Sequence, residues 1–245
     1  MKPLFALSLL LSIPLSVEGQ LQWQRIFDHD AEGATNPGSV PPARNKHALG
    51  YYGRTDTLIL FGGESGSNRD PYGDTWLFFI SNSTWFKVEA GPSPPARADS
   101  VFGVIESCDI FVVAFGTNVW REVDFEDVWG FNFNTRRWSQ ITPTGAGPSR
   151  RYGAFGGVHF GSGKEFWVGG GFTKLTDNPS VYRANIDVYK LTFTNATSAQ
   201  WMQLAGNPTE GNQYHPFLPH GRAYAASAVV TANRMAIYGG CLRCC

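Results

Sequence analysis

Cysteine is scarce in this chain: four residues among 245, three of them (Cys241, Cys244 and Cys245) in the last five positions. That is too few and too lopsided for a small scaffold stapled by disulfides. Cys241-x-x-Cys244 lacks the second spaced pair that a tetrahedral metal site needs, so disulfide pairing is expected and a metal is not. Charge is also sparse, at 16% of residues, with 20 lysines plus arginines against 20 acids. This balance excludes a whole-molecule field for nucleic acid or anionic membrane. No apolar run reaches the ~18 residues of an ordinary helical membrane span. There is no G-x-S-x-G elbow, H-E-x-x-H pair, P-loop or dinucleotide fingerprint. His215 and His220 lie in a Pro-bearing loop without helical ligand spacing. The acids Asp124, Glu126 and Asp127 lack the alternating oxygen ligands of a calcium loop. The expectation is no cofactor, no metal and no catalytic residue.

Glycine and aromatics are plentiful: 28 glycines, and 14% Phe, Trp and Tyr. Both suit an all-β chain with many tight turns. Residues 1–19 read as a secretory signal peptide, with Lys2 as the basic start and Leu4 to Leu15 as a short apolar stretch. Val17 and Gly19 are the small residues before cleavage. The expected product is secreted and, once cleaved, not inserted in a membrane. Two sequons, at Asn82 and Asn195, become candidate glycan acceptors behind such a leader.

The dominant feature is a repeat. Arg44, Arg97, Arg151 and Arg222 each lead, about eighteen residues on, to an apolar run ending in glycine. The glycines are Gly62 and Gly63, Gly116, Gly169 and Gly170, and Gly239 and Gly240. Three units then continue to an acid two residues before an aromatic (Trp76, Trp129, Tyr189), and on to Trp85, Trp138 and Trp201. The first two units are offset by 53 residues at all three landmarks. A period near 50 specifies a repeat architecture. The recurring arginines have two readings, a basic ring for an anionic ligand or a structural clamp onto backbone carbonyls or a neighbouring unit's acid. Strict periodicity favours the clamp.

These glycine pairs, aromatics and tryptophans resemble the kelch repeat, over residues 40–240. Phe115 departs from the pattern, standing where the first glycine of a pair belongs. The resemblance implies a kelch-type β-propeller of three full four-stranded blades and a partial fourth, a fragment of a larger ring. The expected organisation is residues 20–40 as an N-terminal closing strand, then blades at 41–93, 94–147 and 148–218, and a partial blade at 219–245. Strand b of each blade, such as Thr57 to Phe61, is apolar throughout, as a strand covered on both faces should be. Trp23-Gln-Arg-Ile26 matches the fourth strand of each blade and so becomes the candidate for closing the ring. The tryptophans should pack between blades.

In such a blade the a–b and c–d turns share one face, and the b–c loops and d–a connections share the other. Asn82 and Asn195 fall in c–d turns. The long segments at 64–73, 117–126, 171–186 and 205–221 fall on the opposite face and read as irregular loops. Their aromatics and arginines, Tyr72, Trp120, Arg121, Tyr182, Arg183, Tyr214 and Phe217, are the candidate binding residues. The expected function is non-catalytic binding of an extracellular protein or glycan through that face. The alternatives are a galactose-oxidase-like secreted enzyme or the truncated product of a larger kelch-containing receptor.

Overall fold

The computed structural model of the chain describes residues 9–10, 24–25, 40–66, 69–89, 91–118, 123–159, 163–177, 180–206, 222–231 and 234–241. Strands β1 (Leu9–Leu10) and β2 (Gln24–Arg25) pair with each other. The first sheet is β3 (Ala48–Tyr52), β4 (Thr57–Phe61), β5 (Thr75–Phe79) and β6 (Thr84–Lys87). The second is β7 (Val101–Ile105), β8 (Ile110–Ala114), β9 (Val128–Asn132) and β10 (Arg137–Ile141). The third begins with β11 (Phe155–His159) and β12 (Glu165–Gly169), and a separate hairpin follows, β13 (Phe172–Asp177) with β14 (Ser180–Ala184). It ends with β15 (Val188–Phe193) and β16 (Ala199–Ala205), and a two-stranded fourth sheet holds β17 (Ala223–Thr231) and β18 (Arg234–Cys241). Each four-stranded sheet is an antiparallel meander in chain order. The innermost strands β3, β7, β11 and β17 face one another in succession. This is the all-β blade series of a propeller, and the described sheets leave its ring open.

Burial on both faces explains the uninterrupted apolar strands. Every residue of β8 is buried. Phe111 and Val113 pack towards the first sheet with Ile59, Phe61 and Leu77. Ile110, Val112 and Ala114 pack the other way, with Phe166, Val168 and Leu191 of the third. A strand with period-two geometry thus serves two cores at once.

The tryptophans separate by position. Trp138 meets Phe61 of the first sheet at 5.1 Å, and its indole N–H donates to Thr75 Oγ1 at 2.9 Å. Trp201 packs near Phe115 of the second sheet, at 6.0 Å. Both span a junction. Trp85 is half-buried and packs on Phe78 of its own sheet, at 5.0 Å.

Three expectations shift. The segment 171–186 is no irregular loop, because β13 and β14 form a hairpin there with a register irregularity at Lys174 to Thr176. The third glycine pair is Gly170 and Gly171 (φ 62° and 85°), matching Gly62 and Gly63 (67° and 93°). Gly169 instead ends β12, where a Cβ would lie 2.6 Å from the Phe155 ring. The strand expected to close the ring contributes Gln24–Arg25, seated here on Leu9–Leu10. Trp23 and Ile26 lie outside the described residues.

Candidate functional site at the channel mouth

Arg44, Arg97 and Arg151 are each fully engaged inside their own repeat. Arg97 is fully buried and donates to both carboxylate oxygens of Asp127, at 2.5 and 2.9 Å. It also donates to the Phe115 and Pro95 carbonyls, at 3.1 and 3.0 Å. Arg44 repeats this with Asp74, Gly62 and Pro42, and Arg151 with Asp187, Gly170 and Ser149. Arg222 donates to the Gly239 carbonyl at 3.0 Å. The arginines are therefore clamps, and the acid is that of the same repeat, not of a neighbouring unit. Burial alone would raise the Asp74 and Asp127 carboxyls. The arginine hydrogen bonds and charges, with indole donors from Trp76 and Trp129, outweigh it and hold both below the ordinary carboxylate value.

The same arginines lock the junctions through their backbone. The Arg97 carbonyl accepts the Gly63 N–H of the preceding sheet at 2.9 Å, and the Arg97 N–H donates to the Tyr72 carbonyl at 3.2 Å. Arg151 repeats the lock with Gly116 and Phe125, and Arg222 with Gly171 and Asn185. This explains the glycine at position 62: its φ is 67°, and a Cβ there would lie 2.6 Å from the Arg97 carbonyl oxygen. Phe115 takes the same left-handed turn (φ 62°), so the exception in sequence is no exception in backbone.

Two residues after each arginine, at the start of the innermost strand, the chain reaches the centre of the blade series, which in a propeller is the mouth of the central channel. Lys46, Asp99 and Tyr224 (φ 54°, 56° and 56°) and Gly153 (61°) occupy equivalent left-handed positions. They are chained across the sheets: Asp99 N–H to Lys46 carbonyl, Gly153 N–H to Asp99 carbonyl, and Tyr224 N–H to Gly153 carbonyl, at 3.2, 3.1 and 2.7 Å. The ring backbone is uniform, but its side chains are not. Lys46 pairs with Glu64 at 2.7 Å and Asp99 at 3.6 Å, and the Tyr224 hydroxyl donates to Asp99 at 3.2 Å. A cavity of about 160 Å³ opens beside them, reaching His47, Ser100 and Phe102. The His47 imidazole has a buried Nδ1 without a hydrogen-bond partner among the described residues. Burial, and then the Arg44 charge, lower its pKa, so the neutral ring is favoured.

The candidate binding residues divide. Tyr182 lies edge-on to Tyr152 at 6.0 Å, and Tyr152 lies 6.3 Å from Tyr224, so the hairpin aromatic joins the mouth. Arg183 sits beside it on β14 with a buried Nε that has no hydrogen-bond partner among the described residues. Tyr72 is turned inward beneath Arg44, whose guanidinium carbon lies 4.1 Å from the ring centroid. Phe125 does the same under Arg97, so this aromatic belongs to the clamp. Trp120, Arg121, Tyr214 and Phe217 lie outside the described residues. The ring residues Lys46, Asp99 and Tyr224 escaped sequence reasoning. Their signal was a column two residues after the repeated arginine whose residue type changes in every unit.

Successive antiparallel four-stranded blades, locked at a glycine pair and clamped by an Arg–Asp fork, define a repeat propeller. The chain belongs to the kelch-repeat family: the family model KLHDC2/KLHL20/DRC7 Kelch-repeats domain matches residues 19–240. Kelch domains serve as protein-binding propeller modules. Kelch domain-containing protein 10 of Xenopus tropicalis is 25% identical over 203 residues, 75% of this chain and 45% of that protein. Acyl-CoA-binding domain-containing protein 4 of Arabidopsis thaliana is 30% identical over 145 residues, 59% of this chain and 20% of that protein. N-(sulfonatooxy)prop-2-enimidothioate sulfolyase of Thlaspi arvense is 26% identical over 208 residues, 82% of this chain and 53% of that protein. The chain thus spans about half the length, or less, of these curated relatives.

Proposed function

We propose that this chain is a secreted, glycosylated and non-catalytic propeller module, which binds an extracellular protein or glycan at the channel mouth. The observation that carries the reading is the ring at Lys46, Asp99, Gly153 and Tyr224. Its backbone is the same in every unit, while its side chains offer a cation, an acid, an open backbone and a phenol. A frame that repeats its geometry and varies its chemistry at one position supports recognition. Tyr182 and Arg183 extend the surface along the hairpin. The leader-like residues 1–19 support secretion. Asn82 and Asn195 are exposed in the turns of the opposite face. Their side-chain oxygens accept from Thr84 Oγ1 at 2.7 Å and Thr197 Oγ1 at 3.1 Å, the hydroxyls of their own sequons.

Expression in a secretory cell line tests the address. The protein should appear in the medium and lose mass with an N-glycosidase, and the double variant Asn82→Gln/Asn195→Gln should not shift. Wild type should then be screened on arrays of ectodomains and glycans. Lys46→Glu, Tyr224→Ala and Arg183→Ala should each weaken binding by at least ~1 kcal/mol, while Asn82→Gln should leave it unchanged. Trp120→Ala belongs with the first group. Binding lost only in the Asn82 variant would overturn the assignment of faces.

A further inference from the structure

At the junction of the second and third sheets the chain fills its own outer cleft. Thr144 lies parallel to β16, bridged to Gln200. Its N–H donates to the Ala199 carbonyl at 3.0 Å, and its carbonyl accepts the Trp201 N–H at 2.8 Å. Gly145 and Gly147 bring this segment against Trp201, because a Cβ at either would lie 2.7 or 2.6 Å from Trp201 atoms. A short extended piece of chain therefore completes the outer edge of the third sheet.

Trp138 is the repeat counterpart of Trp201, so the matching donor one junction earlier is the Trp138 N–H; the acceptor position falls on Arg136, a left-handed turn residue (φ 54°) that leads into β10. The ladder has the same parity, with Trp138 opposite Phe131 as Trp201 is opposite Leu191, so the Trp138 N–H points away from β9. Among the described residues, no turn or loop backbone group bonds to the Trp138 N–H or the Arg136 carbonyl. Beside them lies a cleft of about 490 Å³. Phe86 is exposed on its wall, and the Arg136 guanidinium carbon lies 5.6 Å from that ring's centroid. Lys87 and Arg137 add two more cations. Glu89 is the acid on the lining besides Asp74, which Arg44 already engages. The cleft therefore pairs an open strand edge with an aromatic wall and an excess of positive charge.

We propose that this rim cleft docks an extended, acidic peptide segment of a partner protein. The segment adds to the edge of β10 in the register that Thr144 uses on β16. Main-chain hydrogen bonds supply the attachment, as in strand addition generally, and the cations select carboxylate-bearing side chains. The site lies at the outer rim between two sheets, separate from the channel mouth, and does not depend on it.

The test uses the full chain and two fluorescent synthetic peptides, one alternating aspartate with valine and the other lysine with valine. Anisotropy should show binding of the aspartate peptide alone. Saturation with it should slow hydrogen exchange at the Trp138 backbone amide, read by NMR on wild-type protein. The double variant Arg136→Glu/Arg137→Glu should weaken binding by about tenfold or more. Failure of the aspartate peptide to bind, equal binding of both peptides, or an unchanged Trp138 amide would each overturn the proposal. The amide measurement needs no variant, so a misfolded double variant would not shield it.

Discussion

Replacing Arg97 with methionine should remove one complete clamp from the propeller. The guanidinium is fully buried, forked onto Asp127, bonded to two backbone carbonyls and stacked 3.9 Å from the Phe125 ring centroid. Methionine restores much of the volume and none of the donors. Asp127 then keeps its charge in a largely buried place, with the Trp129 indole still donating to it at 2.7 Å and its own backbone N–H beside it. Breaking a buried ion pair by removing one partner costs ~3–5 kcal/mol. Each orphaned carbonyl adds ~1 kcal/mol if water cannot reach it. The surviving Trp129 bond offsets part of this, so the expected loss is about 4 kcal/mol. Urea unfolding followed by tryptophan fluorescence would read it as a lower midpoint at unchanged slope. Adding Asp127→Asn should restore part of the loss, because the stranded charge is gone. A loss of ~1 kcal/mol or less, the worth of an exposed pair, would refute the clamp.

Trp138→Ala should cost ~3–5 kcal/mol, since the ring spans a junction. Trp85→Ala, on a half-buried ring packed within its own sheet, should cost only ~1–2 kcal/mol, and equal midpoint shifts would contradict the difference. Phe115→Gly restores the glycine of the repeat and relieves a left-handed side chain, worth ~1 kcal/mol. It also empties a site where Phe115 is 1% exposed, so thermal unfolding should show net destabilisation of ~2–4 kcal/mol. Asp74 and Asp127 titrate below their unfolded value near 3.8. Their contribution is therefore full above that value and lost as the pH falls through the lower folded values. A stability profile should decline on acidification below about pH 4, and less steeply in Asp127→Asn. An equal slope in wild type and variant would contradict this.

Much of this architecture was legible in the sequence because a repeat multiplies weak signals. One apolar run such as Ile110–Ala114 is ambiguous alone, yet in phase with Thr57–Phe61 and Glu165–Gly169 it becomes strand b. The arginine clamps were half legible. Periodicity marked them as structural, but their carboxylate partner lies 30 residues away in the first two units and 36 in the third. Only the folded b–c geometry brings the two together. The glycine pair of the third unit was misplaced by one because Gly169, Gly170 and Gly171 run consecutively, and only φ distinguishes them. The hairpin β13–β14 was missed because it belongs to one repeat and the period says nothing of insertions. The channel mouth was the hardest to read. Lys46, Asp99 and Tyr224 share a backbone conformation and no side-chain chemistry, so a search for recurring residue types passes over them.

Hydrogen exchange of the propeller with and without a ligand recovered from the ectodomain and glycan arrays tests the central claim most directly. The account predicts slowed exchange at residues 45–47, 98–100, 152–154, 181–184 and 222–225, the five segments around the mouth. The turns at 80–83 and 194–198, which carry Asn82 and Asn195, should exchange as in the free protein. Protection confined to those turns, with the mouth segments unchanged, would contradict it.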